Sequence, residues 1–465
     1  MNICQKGNIY NVRIEDIAYG GKGIARIDGF VIFVSGGIPG DVVSCLIIKK
    51  NKAYADARIV DFLEKSPFRI EPLCPYFDFC GGCQWQNIKY EAQLHFKKNH
   101  VKDSLEHIGL LKNIHINDTI PSPDIFHYRN KMEFSFSDRR WLFPDEMDIT
   151  EVKNKNFALG LHVPGSFSNV IDIDQGCLLQ HDEGNALLKL IREFALSSGL
   201  PPYGLKSREG FWRFLVLRRS FSENNWMINI VTKNDNNAIL SKLVKLIEDS
   251  GIPAATVVNN ITASKASIAV GEKETIFLGD GVLVDTIGTF SFRISANSFF
   301  QTNTRGAEIL YTITERFADL SGIETVIDLY SGTGSIPLFL SKKAKNVIGV
   351  EQAESAVMDA WRNCNDNNIK NCSFLLGDAL KVLPGITRKP DIITIDPPRA
   401  GMHKDVAAQV IGLKPERIVY ISCNPATLGR DLAMLSEKYT VSEIQPIDMF
   451  PNTYHVETVC LLKKN

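Results

Sequence analysis

Thr325-Val-Ile-Asp-Leu-Tyr330 is a buried-strand pattern that runs into Ser331-Gly-Thr-Gly334 and then a helix-like stretch. A strand that turns through glycines into a helix is carried back to the same sheet edge, so its successor runs parallel to it. The unit recurs. Lys345-Asn-Val-Ile-Gly-Val350 ends at Glu351, a third strand ends at Gly377-Asp378, and a fourth runs into Asp396-Pro-Pro-Arg399. A fifth, Arg417-Ile-Val-Tyr-Ile-Ser422, runs into Cys423. From about Phe290 to the end, an α/β domain with a largely parallel sheet is expected. Ligands of such sheets gather at the carboxyl ends of the strands, where all these polar residues fall.

The glycine turn lets a ligand approach the backbone. Glu351 lies 19 residues after Gly332, where a carboxylate commonly bonds ribose hydroxyls. The third glycine of a dinucleotide fingerprint is absent, because position 337 is proline. The shorter Asp-x-x-x-Gly-x-Gly pattern suits S-adenosylmethionine, which has no pyrophosphate, better than NAD.

Cys423 lies in Ile421-Ser-Cys-Asn-Pro-Ala-Thr-Leu-Gly-Arg-Asp431. A turn of Ser, Asn and Pro after an apolar strand marks the ligand end of the sheet, and Arg430 is a candidate for favouring a thiolate. Methylation of oxygen or nitrogen needs no thiol. A pyrimidine carbon does, because C5 becomes nucleophilic only after a thiolate adds at C6. The C5 proton must then leave, which requires a base. Asn452-Thr-Tyr-His-Val-Glu-Thr-Val459 offers His455 and Glu457, and the residues alone do not choose between them.

A chain of 465 residues is long for a single core and is expected to form two or three domains. Residues 1–65 alternate short β-like runs (Asn8-Ile-Tyr-Asn-Val-Arg-Ile14, Phe30-Val-Ile-Phe-Val34, Asp41-Val-Val-Ser-Cys-Leu-Ile-Ile48) with glycine turns, the pattern of a small antiparallel barrel. Residues 66–86 are rich in Pro and Cys, and residues 90–108 look helical. From about 120 to 270 the pattern is mixed α+β, with strands at 131–136 and 214–218 and a helix at 183–197. The net charge of −1 excludes a globally basic nucleic-acid binder but not a local patch. The opening Met1-Asn-Ile-Cys-Gln-Lys-Gly-Asn8 has no leader-like apolar core, and no run is apolar enough to span a bilayer, so a cytoplasmic protein is expected. Its ten cysteines then read as metal ligands or nucleophiles rather than disulfides. Cys74-Pro-Tyr-Phe-Asp-Phe-Cys80-Gly-Gly-Cys83 and the distant Cys177 give three thiols plus one, less typical of zinc and better suited to a 4Fe–4S cluster.

Together these motifs resemble the uracil-5 RNA methyltransferases of the RumA/TrmA family over nearly the whole chain. The matching stretches are Phe300-Gln-Thr-Asn303, Asp328-Leu-Tyr-Ser-Gly-Thr-Gly334, Asp396-Pro-Pro-Arg399, Ser422-Cys-Asn-Pro425 and His455-Val-Glu457. Ser331 departs from the cysteine of many members. The resemblance implies a Rossmann-like class I methyltransferase domain at 286–465, an N-terminal TRAM β-barrel at 1–65, and an iron–sulfur segment with a central α+β domain at 66–285. The helix near 90–110 is expected to pack on the catalytic domain. It further implies Cys423 as nucleophile, Glu457 as base, Gln301, Tyr330, Glu351 and Asp396 on S-adenosylmethionine, and Phe299 against the target base. Arg129 and Lys131, in Tyr128-Arg-Asn-Lys131, would contact RNA. Cys74, Cys80, Cys83 and Cys177 would hold a 4Fe–4S cluster. The barrel, resembling TRAM in Gly20-Gly-Lys-Gly-Ile-Ala-Arg-Ile-Asp-Gly29 and Pro39-Gly-Asp41, and the cluster direct the substrate toward 23S ribosomal RNA, since the tRNA-specific branch is expected to lack both. No membrane and no obligate protein partner is implied. The competing expectations are the same reaction on tRNA or a second rRNA uridine, amine methylation through Asp396-Pro-Pro-Arg399, and an iron–sulfur RNA-binding protein without methylation activity.

Overall fold

The computed structural model of the chain describes residues 4–265 and 268–465, so the first three residues of the opening Met1–Asn8 stretch lie outside the described residues. Six strands form the N-terminal sheet, in the order Ile9–Arg13, Val42–Lys50, Tyr54–Glu64, Phe30–Ser35, Gly23–Ile27, Asp16–Ile17. Alternate residues of Val42–Lys50 (Val43, Cys45, Ile47) meet Val12, Ile32, Val34 and Ala57 in a small core. The sheet is not wholly antiparallel as expected, because Phe30–Ser35 pairs with Tyr54–Glu64 in parallel. A tight turn at 51–53 returns the chain beside Val42–Lys50, and the first residues of Tyr54–Glu64, Tyr54 to Arg58, pair on their other side with Phe30–Ser35.

Buried Asp41 ties this barrel to the next segment. Its carboxylate accepts hydrogen bonds from the Ile38 and Ser66 amides, both at 2.8 Å, and pairs with Arg69 at 2.5 Å. The expected helix forms at Tyr90–His107. It lies between the barrel and the catalytic domain, burying Phe96 beside Ile17 and Ile38 on one side and Val101 and Leu105 among catalytic-domain residues on the other. Its close approach to the helix Pro425–Leu435 depends on glycine: a Cβ at Gly429 would stand 2.5 Å from the Ser104 carbonyl oxygen. From the same helix, Lys97 reaches Asp448, which follows the strand Tyr439–Ile447; both are fully buried and bond at 2.6 Å, and Lys97 also donates to the Phe450 carbonyl at 3.0 Å.

The central domain is a seven-stranded mixed sheet ordered Lys273–Leu278, Ala254–Ile261, Trp226–Thr232, Trp212–Arg219, Lys131–Ser137, Ala158–His162, Val170–Asp172. The helices Asp182–Ser197 and Asn237–Asp249 bury their apolar faces against it.

The C-terminal sheet has seven strands in the order Cys372–Leu376, Asn346–Glu351, Thr325–Leu329, Ile392–Ile395, Arg417–Ser422, Glu457–Lys464, Tyr439–Ile447. The first five are parallel, and Glu457–Lys464 is antiparallel to both of its neighbours. The strand–glycine–helix pattern starts at Thr325 rather than near Phe290. The intervening Val282–Ile287 and Phe290–Ser295 form an antiparallel hairpin whose Leu283, Ile287, Phe290, Phe292 and Ile294 bury into the catalytic core. A boundary at 285/286 therefore falls inside a strand. No helix among the described residues is long and apolar enough to cross a membrane.

Candidate active site

Four of the parallel strands end around one turn. Tyr330, after the strand Thr325–Leu329, has φ +64°, a left-handed conformation that costs a non-glycine residue about 1–3 kcal/mol. Gly332 follows at φ +52°, and a Cβ there would meet nothing within 4 Å, which leaves room for a ligand against the backbone. Glu351 accepts the Gly332 N–H at 3.0 Å and the Ala353 N–H at 2.8 Å, which fixes its carboxylate over the turn. Asp328 is fully buried. One of its carboxylate oxygens accepts the Thr394 hydroxyl and the other, equally buried, has no protein partner. Burial pushes its pKa well above the usual carboxylate range, with Asp396 and Glu351 adding negative charge. Burial also raises Asp396 to about 6. An orphaned carboxylate oxygen among three acids suits a ligand that brings positive charge and hydroxyl donors, as the sulfonium and ribose of S-adenosylmethionine would. Gln301 is held by its main chain, its carbonyl accepting from the Asn130 side chain at 2.8 Å. Among the described residues, no hydrogen bond joins its side chain to Tyr330, Glu351 or Asp396.

The thiol side is set by register. Ser422 is the last residue of its strand and pairs with Thr458 of the antiparallel neighbour, so Cys423 and Glu457 follow directly at the ends of that pairing, within electrostatic range of each other. Asn424 then caps the helix Pro425–Leu435, its side-chain oxygen accepting the Ala426 N–H at 3.1 Å while its side-chain N–H donates to the Arg399 carbonyl at 3.2 Å. The thiol thus sits at the positive end of a helix, which favours a thiolate. Other groups oppose it: burial, then the carboxylates Glu457 and Asp396, push Cys423 up to about 12, against the Arg399 guanidinium. Glu457 is 8 % exposed and is raised to about 8 by burial and Asp396. Between the two possible bases, His455 falls to about 4 through burial and the cations Arg399, Lys97 and Arg129, so Glu457 is the stronger base.

Arg430 does not serve the thiol. It pairs with Asp431 at 2.7 Å and donates to the Ala400 and Met402 carbonyls, bracing the loop after Asp396. Arg399 is the cation that acts on Cys423, Glu457 and His455 together. Phe299 is 69 % exposed. Arg129 acts electrostatically on both Cys177 and His455. Lys131 instead sits half-buried against Glu133 at 3.5 Å, with Arg218 nearby.

Cys74, Cys80, Cys83 and Cys177 line one cavity together with Tyr76, Leu161 and Ile173. Burial raises all four thiols, Cys80 and Cys83 to about 12 and Cys177 to about 11. Among the described residues, no group of three or more His, Cys, Asp or Glu side chains is arranged to hold a single metal ion. Polar hydrogens do face the sulfurs: the Gly82 N–H donates to Cys80 Sγ at 3.4 Å, and the backbone of Leu179 and Gln180 bonds Cys177. That donor set suits sulfur carrying negative charge.

Residues 258–465 match the family model described as tRNA (Uracil-5-)-methyltransferase, and residues 5–60 match the TRAM domain. An uncharacterized RNA methyltransferase of Chlorobaculum tepidum is 43% identical over 471 residues, 99% of this chain and 97% of its own. The chain belongs to the uracil-5 RNA methyltransferase family. A second uncharacterized RNA methyltransferase, from Bacteroides thetaiotaomicron, is 39% identical over 450 residues, 95% of this chain and 99% of its own. Among solved structures, the Pyrococcus abyssi tRNA (uracil-54, C5)-methyltransferase in complex with S-adenosyl-L-homocysteine matches with TM-score 0.76 and 27% identity, over 97% of this chain and 100% of its own. As a member of this family the chain is an S-adenosylmethionine-dependent RNA methyltransferase, a class I methyltransferase fold preceded by a TRAM domain. The unmatched share of the Pyrococcus alignment is too small to hold the barrel. The expectation that tRNA-specific members lack one therefore does not hold for that relative.

Two residues of the site had no role in the sequence reading. Asp328 and Arg399 stand inside the motifs that carry the resemblance, at strand ends where ligand groups gather, and position alone could have flagged them. A third residue, Tyr19 of the barrel, carries no sequence signal, because the fold brings it to Cys423 from 404 positions away.

Proposed function

We propose that the chain transfers the methyl group of S-adenosylmethionine to C5 of a uridine in RNA, with Cys423 as nucleophile and Glu457 as base. The proximity of Cys423, Glu457, Asp396 and Arg399 at the strand ends, where each acts electrostatically on its neighbours, carries this reading. S-adenosylmethionine supplies an electrophilic methyl group, held by Tyr330, Glu351, Asp396 and Gln301, with Asp328 and its unfilled oxygen behind the turn. The Cys423 thiolate forms a bond to C6, and the C5–C6 π electrons move into an enolate that Arg399 stabilises. C5 then takes the methyl carbon, whose bond to sulfur breaks. Glu457 removes the C5 proton, those electrons restore the C5–C6 double bond, and the C6–sulfur bond breaks to free Cys423. Phe299 packs on the target base, and Arg129 and Lys131 contribute to RNA binding. RNA carrying 5-fluorouridine tests the sequence of steps. Its fluorine cannot leave as a proton does, so a covalent complex through Cys423 is expected, and its absence would reject carbon methylation.

We assign 23S ribosomal RNA as the first substrate, on the resemblance of the thiol segment Cys74–Cys83 to that branch. The match to the Pyrococcus abyssi tRNA (uracil-54, C5)-methyltransferase favours tRNA as the second reading. Mapping 5-methyluridine in RNA from a deletion strain separates them, since loss from tRNA alone would reject the ribosomal substrate. We also assign Cys74, Cys80, Cys83 and Cys177 to a 4Fe–4S cluster, supported by their shared cavity and the N–H donors on their sulfurs. Methyl transfer requires no electron from it, so its role is structural, joining Cys177 of the central domain to the segment after the barrel. Brown protein containing iron and sulfide after anaerobic purification is expected, and colourless protein with stoichiometric zinc would overturn the assignment.

A further inference from the structure

Tyr19 lies in the barrel, on the turn closed by the Gly21 N–H to the Ala18 carbonyl at 2.9 Å and the Ala18 N–H to the Lys22 carbonyl at 2.8 Å. Its hydroxyl donates to the main-chain carbonyl of Cys423 at 3.4 Å. Its ring meets Tyr454 edge-on at 5.0 Å and His100 edge-on at 5.7 Å. Gly21 supports this approach, since a Cβ there would press on Gln84 at 3.3 Å and on the Trp85 indole at 3.4 Å. The residue nevertheless remains 39 % exposed. It also stands within electrostatic range of Arg399 and Glu457, and so beside the residues that surround Cys423.

With its hydroxyl proton bonded to the Cys423 carbonyl, Tyr19 has no donor left for a ligand, and its largest remaining contact surface is the ring area left accessible beside the two edge-on contacts. We infer that Tyr19 is a stacking platform for a base of the RNA substrate beside Cys423, so that the barrel contributes a substrate-positioning residue to the active site. The inference rests on the reading of Cys423 as the nucleophile toward an RNA base. Base–aromatic stacking tolerates any sequence and draws on the ring rather than on charge. Phosphate contacts, by contrast, weaken steeply with salt.

The test is RNA binding measured by fluorescence anisotropy with a labelled 23S ribosomal RNA stem-loop and a labelled tRNA transcript, judged on whichever wild-type protein binds more tightly. Tyr19→Phe should bind like wild type. Tyr19→Ala and Tyr19→Leu should both bind more weakly, by on the order of 10-fold, with a ratio to wild type that does not change with salt. Binding of S-adenosylhomocysteine should be the same in all four proteins. Leu fills the space without an aromatic face, so Leu binding as well as Phe would show a filler role and overturn the inference. Equal binding by all four would overturn it as well. The readout needs no methyl transfer, so the 5-fluorouridine adduct judges the uracil reading separately.

Discussion

Cys423 and Glu457 stand one step beyond Ser422 and Thr458, the last registered pair of their antiparallel strands. Facing residues of such strands hold their Cβ atoms about 5 Å apart. Glu457 is fixed by its pairing with Ile447, while Cys423 sits in the bend after its strand, so strand register brings the two close and the turn sets the thiol. Glu457 and Asp396 both oppose ionisation of the thiol, so loss of either carboxylate should ease formation of the thiolate.

Replacing Glu457 with Gln removes one carboxylate that disfavours the thiolate, and it also removes the acceptor for the C5 proton. Addition and methylation should proceed while release stalls. Turnover should fall by about 10²–10⁴-fold, and a methylated enzyme–RNA adduct should accumulate on denaturing gels with label from the methyl donor. Near-normal turnover would move the base to another residue, His455 first.

Glu457 accepts a proton only as a carboxylate, and its pKa is about 8. The turnover rate should therefore climb with pH through this value. In Asp396→Asn one of the two causes of the raised pKa is gone, so the midpoint of the climb should move to lower pH. A pH–rate profile of surviving activity in that variant checks the direction.

The same carboxyls weaken the fold in base. Glu457 is raised from 4.5 to about 8 and Asp396 from 3.8 to about 6, so the folded chain holds protons that the unfolded chain releases. Their contribution is present at acid pH and is lost as pH rises through these windows. Glu457→Gln should match wild type in melting temperature near pH 4, exceed it increasingly up to about pH 8, and keep a constant lead above that.

Lys97 and Asp448 are a fully buried pair. Lys97→Met leaves a buried carboxylate without its cation, at a cost of about 3–5 kcal/mol. Urea denaturation should show that loss. The double variant with Asp448→Leu should recover much of it, because the buried charge is then gone.

Cys177 directly precedes Leu178–Gln180, whose carbonyls accept from His127 and Arg129: the His127 N–H bonds Leu178 and the Arg129 N–H bonds Leu179, both at 2.9 Å. Cys177→Ala should cut iron per chain and visible absorbance together, and it should weaken RNA binding more than binding of S-adenosylhomocysteine. Full iron retention would remove Cys177 from the ligand set.

The catalytic half was legible because its period is local. Each apolar run of four to six residues is followed at once by its turn, so strand, ligand end and helix can be read together. Position at a strand end placed Glu351, Asp396 and Cys423 before any contact was known. What the sequence concealed is non-local. The parallel pairing of Phe30–Ser35 with Tyr54–Glu64 joins residues 23 positions apart across an intervening strand, which no local pattern marks. The hairpin Val282–Ser295 has the alternation of the preceding domain but belongs to the next core. Arg430 was the cation that the sequence offered to Cys423, yet Asp431 and two carbonyls hold it, while Arg399 comes from another strand end.

Gly429 admits the Ser104 carbonyl to a notch in the helix that starts two residues after Cys423. This contact decides what can be exchanged among relatives. A methyltransferase half severed at residue 285 would begin in mid-strand and bare that notch to water, with the apolar surface around Leu428 and Leu432. The transplantable unit is accordingly larger than the methyltransferase sheet. It must travel with the helix Tyr90–His107, and a chimera joined between Glu64 and Tyr90 keeps that unit whole where one joined at 285 divides it.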